Sequence, residues 1–208
     1  MASITLIGSG NMARGIGSRA VAAGYDIQVL DRDPAKADSL ARDLAGAGSG
    51  SLADAPTGDI VVLALPYTAV QEVLGQLGSQ LDGRTVVDIT NPVDFETFAG
   101  LVVPQDSSAA QEIAKLLPNA QIVKAFNTTF AATLGAKEVG PNKTTVLIAG
   151  DDADAKATLA TAISAGGVDA VDAGSLSRAR ELEAIGFLQL TLAVGEKVGW
   201  TGGFGIVR

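Results

Sequence analysis

Short apolar runs alternate along the chain with segments whose apolar residues recur at helical spacing. Ile4-Thr5-Leu6-Ile7 is a compact run closed by Gly8, and Ile16, Ala20, Val21 and Ala23 follow at helical spacing within Arg14 to Ala23. That pattern predicts a buried strand and then a helix. Tyr25 to Asp31 predicts a second strand. Asp33-Pro34 opens the next helix, with Asp as cap and Pro at the first helical position, and the helix extends to about Ala45. Ala47 to Ser51 is rich in Gly and Ser and reads as a short strand or a loop. Asp59 to Leu65 is almost continuously apolar, as a strand covered on both faces of a parallel sheet must be. Pro66 ends it, and Tyr67 to Ser79 reads as a helix. Arg84 to Ile89 is a further strand, closed by Thr90-Asn91-Pro92. Val93 to Asp106 is a long connection carrying Phe95 and Phe98, and loops of that length are often functional. Ser108 to Gln111 fits a capping box for a helix ending near Pro118. Gln121 to Phe126, Thr144 to Ala149 and Val168 to Ala173 complete the strands. Asp151 or Asp152 caps a helix to Ala165, and Ser177 to Val198 reads as a long apolar helix before a tail with Trp200 and Phe204.

Strand and helix alternate throughout. The expected fold is therefore α/β, a doubly wound, Rossmann-like and mainly parallel sheet with a C-terminal helical extension. No linker divides the chain. Residues 1–208 read as a single dinucleotide-binding domain, of which about 141–208 form a small C-terminal extension.

The join after the first strand is Gly8-Ser9-Gly10-Asn11-Met12-Ala13, a G-x-G-x-x-A fingerprint. Gly8 permits the turn out of the strand, Gly10 lets a pyrophosphate approach the backbone, and Ala13 lets the helix pack on the sheet. The free N–H groups of the helix's first turn, with the helix dipole, then favour phosphate. An acidic residue, Asp31, follows about twenty residues on, at the end of the second strand.

Composition narrows the chemistry. Of 208 residues 47% are apolar and 4% aromatic, so the core is aliphatic. The net charge of −8 argues against nucleic acid and anionic membranes as partners. There is no Cys and no His, which removes thiolate chemistry, the commonest general base and the commonest zinc ligands. No metal site and no catalytic side chain is expected. With no leader-like segment and no apolar run of membrane-span length, the reading is cytoplasmic.

Ligands of open α/β sheets bind beyond the carboxyl ends of the strands. That rule selects Gly8, Ser9, Gly10, Asn11 and Met12; Asp31 and Arg32; Leu65, Pro66 and Tyr67; Asn91 and Pro92; and Ala125 to Thr128, including Asn127. Asp31 suits the ribose hydroxyls of NAD(H). Arg32, with Lys36 one helical turn on, suits the 2′-phosphate of NADP(H).

Five stretches carry a resemblance. They are Ile7 to Ala13, Val62 to Tyr67, Val86 to Pro92, Lys124 to Thr128 and Asp172 to Arg180. Together they resemble the deazaflavin (coenzyme F420)-dependent NADP oxidoreductases over nearly the whole chain. The nucleotide domain of membrane ferric reductases is also similar. The resemblance implies hydride transfer between nicotinamide C4 and C5 of a deazaflavin or flavin co-substrate, with NADP(H) as nucleotide. It implies that Gly8, Ser9, Gly10, Asn11 and Met12 hold the pyrophosphate. Leu65, Pro66, Tyr67, Asn91, Pro92, Ala125 and Asn127 would lie near ribose and nicotinamide. The family commonly reads the 2′-phosphate with a serine and an arginine; here Arg32 is kept and Asp31 stands at the serine position. Ring-to-ring transfer needs orientation and water exclusion more than an acid or base, which suits a chain without His or Cys. The roof would be Phe95 and Phe98, or Trp200 and Phe204.

Two other readings use the same residues. An imino-acid or hydroxy-acid reductase resembling pyrroline-carboxylate reductase also carries Gly-x-Gly-Asn-Met-Ala, but needs a longer helical region and a proton donor. Lys124 and Lys137 are the nearby candidates, both read as surface charges. A non-catalytic dinucleotide-binding module is the third reading. The final helix carries Ala184, Ile185, Phe187, Leu188, Leu190, Leu192, Ala193 and Val194, too apolar for one buried stripe; burial inside the monomer or against a twin subunit would cover it, and a homodimer is the expectation favoured.

Overall fold

The structure, a computed structural model, describes residues 3–207. Its strands are β1 (Ser3–Ile7), β2 (Asp26–Asp31), β3 (Gly48–Ser51), β4 (Ile60–Leu63), β5 (Thr85–Asp88), β6 (Gln121–Lys124), β7 (Glu138–Val139), β8 (Asn142–Lys143), β9 (Thr145–Gly150) and β10 (Asp169–Gly174). Its helices are α1 (Asn11–Ala22), α2 (Pro34–Asp43), α3 (Tyr67–Leu77), α4 (Ala109–Leu116), α5 (Ala131–Ala136), α6 (Ala153–Ala165) and α7 (Ala179–Val194). The main sheet has eight strands in the order β10-β9-β6-β5-β4-β1-β2-β3, with β7 and β8 as a separate hairpin. Every pairing in the main sheet is parallel except β6 with β9. The fold is the Rossmann-like α/β arrangement expected. The chain winds outward from β1 in one direction, then resumes at β4 on its other side. That reversal opens a crevice between β1 and β4 at their carboxyl ends.

Alternation along the strands explains the layers. Ile4, Leu6, Ile60, Val62, Val87 and Val123 point to one face, under α1, α2, α5 and α6. Ile7, Val61, Leu63, Val86 and Ile122 point to the other, under α3 and α4. Period-two side chains on a sheet buried on both faces need apolar residues at every position, which is why β4 reads Ile-Val-Val-Leu. Helix starts follow the caps in the sequence. Asp33, Ser108 and Asp152 accept backbone N–H groups of Ala35, Gln111 and Ala155 at 3.0, 3.1 and 2.7 Å.

Two features depart from the sequence reading: an added helix with a hairpin, and the extent of the last helix. Helix α5 and the β7–β8 hairpin lie between Thr129 and Thr144, where no element is expected. Strands β9 and β10, from the segment beyond residue 141, extend the same sheet past β6. The last helix is shorter than Ser177 to Val198, running from Ala179 to Val194 after a 3₁₀ turn at Leu176–Arg178. Its inward face is Leu182, Glu183, Gly186, Gln189 and Ala193, while Ile185, Leu188 and Val194 are exposed. Polar groups face in because they bond to β-strand turns, leaving much of the aliphatic surface outside.

Candidate active site

Gly8 leaves β1 with φ +108°, a value that strains any residue with a Cβ. A Cβ there would also sit 2.3 Å from the Ala64 carbonyl oxygen at the end of β4. The two central strands therefore close around the turn only because residue 8 has no side chain. Gly10 caps α1 with no side-chain hydrogen bond, and a Cβ on it would meet no atom within 4 Å. The first turn of α1 thus presents its unpaired amides to open space, with no acidic residue in that turn. Ala13 is fully buried against the sheet. These features fit a diphosphate: an accessible backbone, aligned N–H donors, and no competing anion in the helix's first turn.

The glycine turn opens on two cavities. One, of about 340 Å³, is lined by Gly8, Ser9, Gly10, Asp31, Arg32, Lys36, Leu65 and Pro66, among others. Its acid is already engaged. Ser9 Oγ donates to Asp31 Oδ2 at 2.7 Å, and the Asp33 N–H donates to Oδ1 at 2.9 Å. Arg32 lies on the exposed rim, 3.8 Å from Glu72. A pair so exposed holds its arginine weakly.

The second cavity, of about 620 Å³, takes Asn11 and Met12 from α1, Asn91 from the turn after β5, and Asn127 from the turn after β6. Arg14, Phe130 and Trp200 complete its walls. Tyr67, Pro92 and Ala125 line neither cavity; Pro92 and Ala125 are buried behind them. The two proposed roofs separate. Phe95 and Phe98 stack edge to face on each other, 5.6 Å between centroids, away from both cavities. Trp200 packs on Phe130 at 5.0 Å and faces the larger cavity. The tail that carries it is tied back through the Phe204 N–H, which donates to Gln189 Oε1 at 3.1 Å.

Asn91 and Asn127 are joined reciprocally. Asn127 Nδ2 donates to Asn91 Oδ1 and to Leu182 O of α7, at 2.9 and 2.8 Å; Asn91 Nδ2 donates to Asn127 O at 2.9 Å. With both amide hydrogens committed, Asn127 Oδ1 is left buried with no partner. An orphan acceptor at a cavity wall fits a ligand that brings an N–H or O–H donor. Gly186 of α7 allows this packing, since a Cβ there would lie 2.3 Å from Asn91 Oδ1.

Beneath the pair is a group that the sequence reading places wrongly. Lys124 is not a surface charge; it is fully buried, 2.8 Å from Asp88 and 2.8 Å from Glu183, both fully buried as well. Its Nζ also donates to Thr90 O at 2.6 Å. Burial pushes the Glu183 carboxyl above its ordinary range, with the nearby Asp88 adding to the rise and Lys124 opposing it. Burial, together with Glu112, Glu183 and Asp88, raises the Tyr67 phenol. A signal for the cluster was present: Val86-Val87-Asp88 and Ile122-Val123-Lys124 both end apolar strands in opposite charges. Glu183 had none, because its partners are distant in sequence. Lys137, the other lysine candidate, is exposed as expected.

A glycine turn, bare helix amides and a cleft at the switch point define a dinucleotide-binding oxidoreductase of the Rossmann class. Residues 3–92 match the family model described as NADP oxidoreductase, coenzyme F420-dependent. The F420-dependent NADP reductase of Methanothermobacter marburgensis is 30% identical, covering 92% of this chain and 92% of the relative. A crystal structure from Arthrobacter sp. FB24, described by its solvers under the F420-dependent NADP-reductases, superposes over both full chains with a TM-score of 0.87 and 25% identity. The chain belongs to the F420-dependent NADP reductase family of NADP-dependent oxidoreductases. Rat metalloreductase STEAP3 is 33% identical over 88% of this chain, which spans only 36% of that relative's length. No helix among the described residues is long and apolar enough to cross a membrane.

Proposed function

We propose that the protein transfers hydride directly between NADP(H) and a deazaflavin or flavin acceptor. The observation that carries this reading is that the fingerprint borders both cavities, Gly8 to Gly10 lining the smaller and Asn11 and Met12 the larger. Bare α1 amides beside Gly10 lead into the larger cavity, where Asn127 Oδ1 waits for a donor. Gly8 to Met12 would hold the diphosphate, and Ser9, Asp31, Arg32 and Lys36 would meet the adenosine ribose. Asn91 and Asn127 would orient the nicotinamide end, with Leu65 and Pro66 closing the ribose side. When bound, the nucleotide supplies a hydride from nicotinamide C4 to position 5 of the acceptor ring, carbon in a deazaflavin and nitrogen in a flavin, and a solvent proton completes the reduced acceptor. The chain's own part is to orient the rings and exclude water. In the larger cavity Arg14 is ion-paired to Asp43, and the other side chains lining it carry no charge. Trp200 would roof the acceptor.

NADPH oxidation with deazaflavin, riboflavin and FMN in turn tests the reading. Turnover with deazaflavin is expected, and binding of NADPH without turnover on any acceptor would overturn it. Trp200→Ala should raise the acceptor KM and leave nucleotide affinity intact. We further propose a homodimer through the exposed aliphatic side of α7, where Ile185 and Leu188 border a groove with Phe204 and Ile206. A monomeric mass in solution at micromolar concentration would remove that assignment.

A further inference from the structure

The Asp88–Lys124–Glu183 cluster has no task in the reading above, on which this inference rests. Burying three charges together is unfavourable unless geometry and hydrogen bonds compensate. Strand pairing accounts for two of them, since Asp88 and Lys124 are direct partners in the β5–β6 register. That pair is already neutral. The third ionisable group arrives from α7, and the balance of that pair does not call for it.

The hydrogen bonds show what the cluster holds. Both backbone groups of Thr90 are gripped: its carbonyl by Lys124 Nζ at 2.6 Å, its N–H by Asp88 Oδ1 at 2.8 Å. Thr90 immediately precedes Asn91. Glu183 accepts from Lys124 and from the N–H of Ala109, the first residue of α4, at 2.9 Å. Leu182, its neighbour, supplies the carbonyl that fixes Asn127. Gly186, one turn further, lies against both asparagines. One cluster therefore sets the turns after β5 and β6 and docks α7 on both.

We propose that Lys124 is a positioning residue for hydride transfer. Acting through Asp88, Thr90 and Glu183, it fixes Asn91 and aims the free Asn127 Oδ1 at the nicotinamide end of the cofactor. An apolar cluster could hold strands and helix together equally well. It could not donate to the Thr90 carbonyl, and the turn that carries Asn91 would lose its register.

The test uses the full chain with Lys124→Met and Glu183→Gln. Three quantities are measured: NADPH affinity, the emission of the bound nicotinamide ring, and single-turnover hydride transfer to deazaflavin from NADPH deuterated at C4. Lys124→Met should bind NADPH nearly as well as wild type, because the diphosphate and adenosine sites are separate. It should transfer hydride about 100-fold more slowly, the loss typical of a small misplacement, and its bound nicotinamide should emit as a less confined ring. Glu183→Gln, nearly isosteric, should move both quantities in the same direction by less, and it carries the test alone if Lys124→Met does not fold. Wild-type transfer rate and emission in folded Glu183→Gln, with only stability changed, would overturn the positioning role. Wild-type protein that binds NADPH but reduces no acceptor would overturn the functional reading instead, leaving the emission to decide the positioning role. Failure of the wild type to bind NADPH would overturn both.

Discussion

The two ends of the cleft are built on different physical principles. The end proposed to take the adenosine is local and wet: a glycine turn, one serine–aspartate hydrogen bond and an exposed arginine, with Gly8 to Met12 contiguous in sequence. The end proposed to take the nicotinamide is long-range, with its polar anchors buried. Asn91, Asn127 and Gly186 meet over three buried charges drawn from β5, β6 and α7. Water screens errors at the first end, so its residues can vary at small cost. At the second, an unpaired group is expensive, so its members depend on one another.

The largest expected effect follows from breaking that dependence. Lys124→Met leaves Asp88 and Glu183 buried without a counter-charge. It should destabilise the fold by about 3–5 kcal/mol, the range for removing one partner of a buried ion pair; urea unfolding measures it. Replacing Lys115 tests the contrast. Its pair with Glu112 is largely exposed on the lysine side, and Lys115→Met should shift stability by about 1 kcal/mol or less. Equal losses from both would erase the distinction between the two regions.

Gly186→Ala is next. The added methyl must displace Asn91 Oδ1 or the Asn127 amide, both within 3 Å. Overpacking of this kind costs about 1–3 kcal/mol, and here it should also slow hydride transfer. An active and fully stable Gly186→Ala would mean that α7 can move away without disturbing the site.

Legibility in the sequence follows the same divide. The glycine turn, Asp31 and the caps at Asp33, Ser108 and Asp152 are local patterns, and local patterns can be read from neighbours in the chain. The doubly wound, mainly parallel sheet also followed, because alternating strands and helices admit few topologies. Lys124 was misread because a lone lysine is usually exposed, and only its pairing with Asp88 reveals otherwise. The inward face of α7 was not legible for a related reason. Glu183 and Gln189 are buried by partners at Ala109, Lys124, Thr128 and Phe204 that no periodicity within the helix can indicate. Helix α5 is short and ends on Lys137 in a left-handed conformation, so it offers too few residues for a helical pattern to emerge.

At the adenosine end a smaller effect is expected. Asp31 stands beside the place where a 2′-phosphate would bring like charge. Asp31→Ser removes that charge but keeps a hydroxyl near Ser9 and Arg32. NADPH should bind about tenfold more tightly, roughly 1.4 kcal/mol, while NADH, deprived of an acceptor for its ribose hydroxyls, weakens. Isothermal titration of both nucleotides into both proteins reads the change. No shift for either nucleotide would place the adenosine ribose away from Asp31.

The smallest effect is a slope rather than a step, and it isolates Glu183. Burial raises its carboxyl above the ordinary carboxylate range. The folded chain therefore holds this proton more tightly than the unfolded chain, and folding is favoured while Glu183 is protonated. Its contribution is fully present below the unfolded value, about 4.3 for a glutamate, and is lost as pH rises through the raised folded value. Glu183→Gln cannot titrate. Wild type minus variant, measured by urea unfolding across that interval, should thus fall with rising pH and level off once Glu183 is ionised. Asp88, Lys124 and Tyr67 face the same carboxyl, and they remain in both proteins, so the difference reports residue 183 in its setting. A difference that instead rises with pH would mean that Lys124 and the α4 amides outweigh burial. The nicotinamide end would then be held by attraction among its charges, and the contrast with the solvated adenosine end would rest on packing alone.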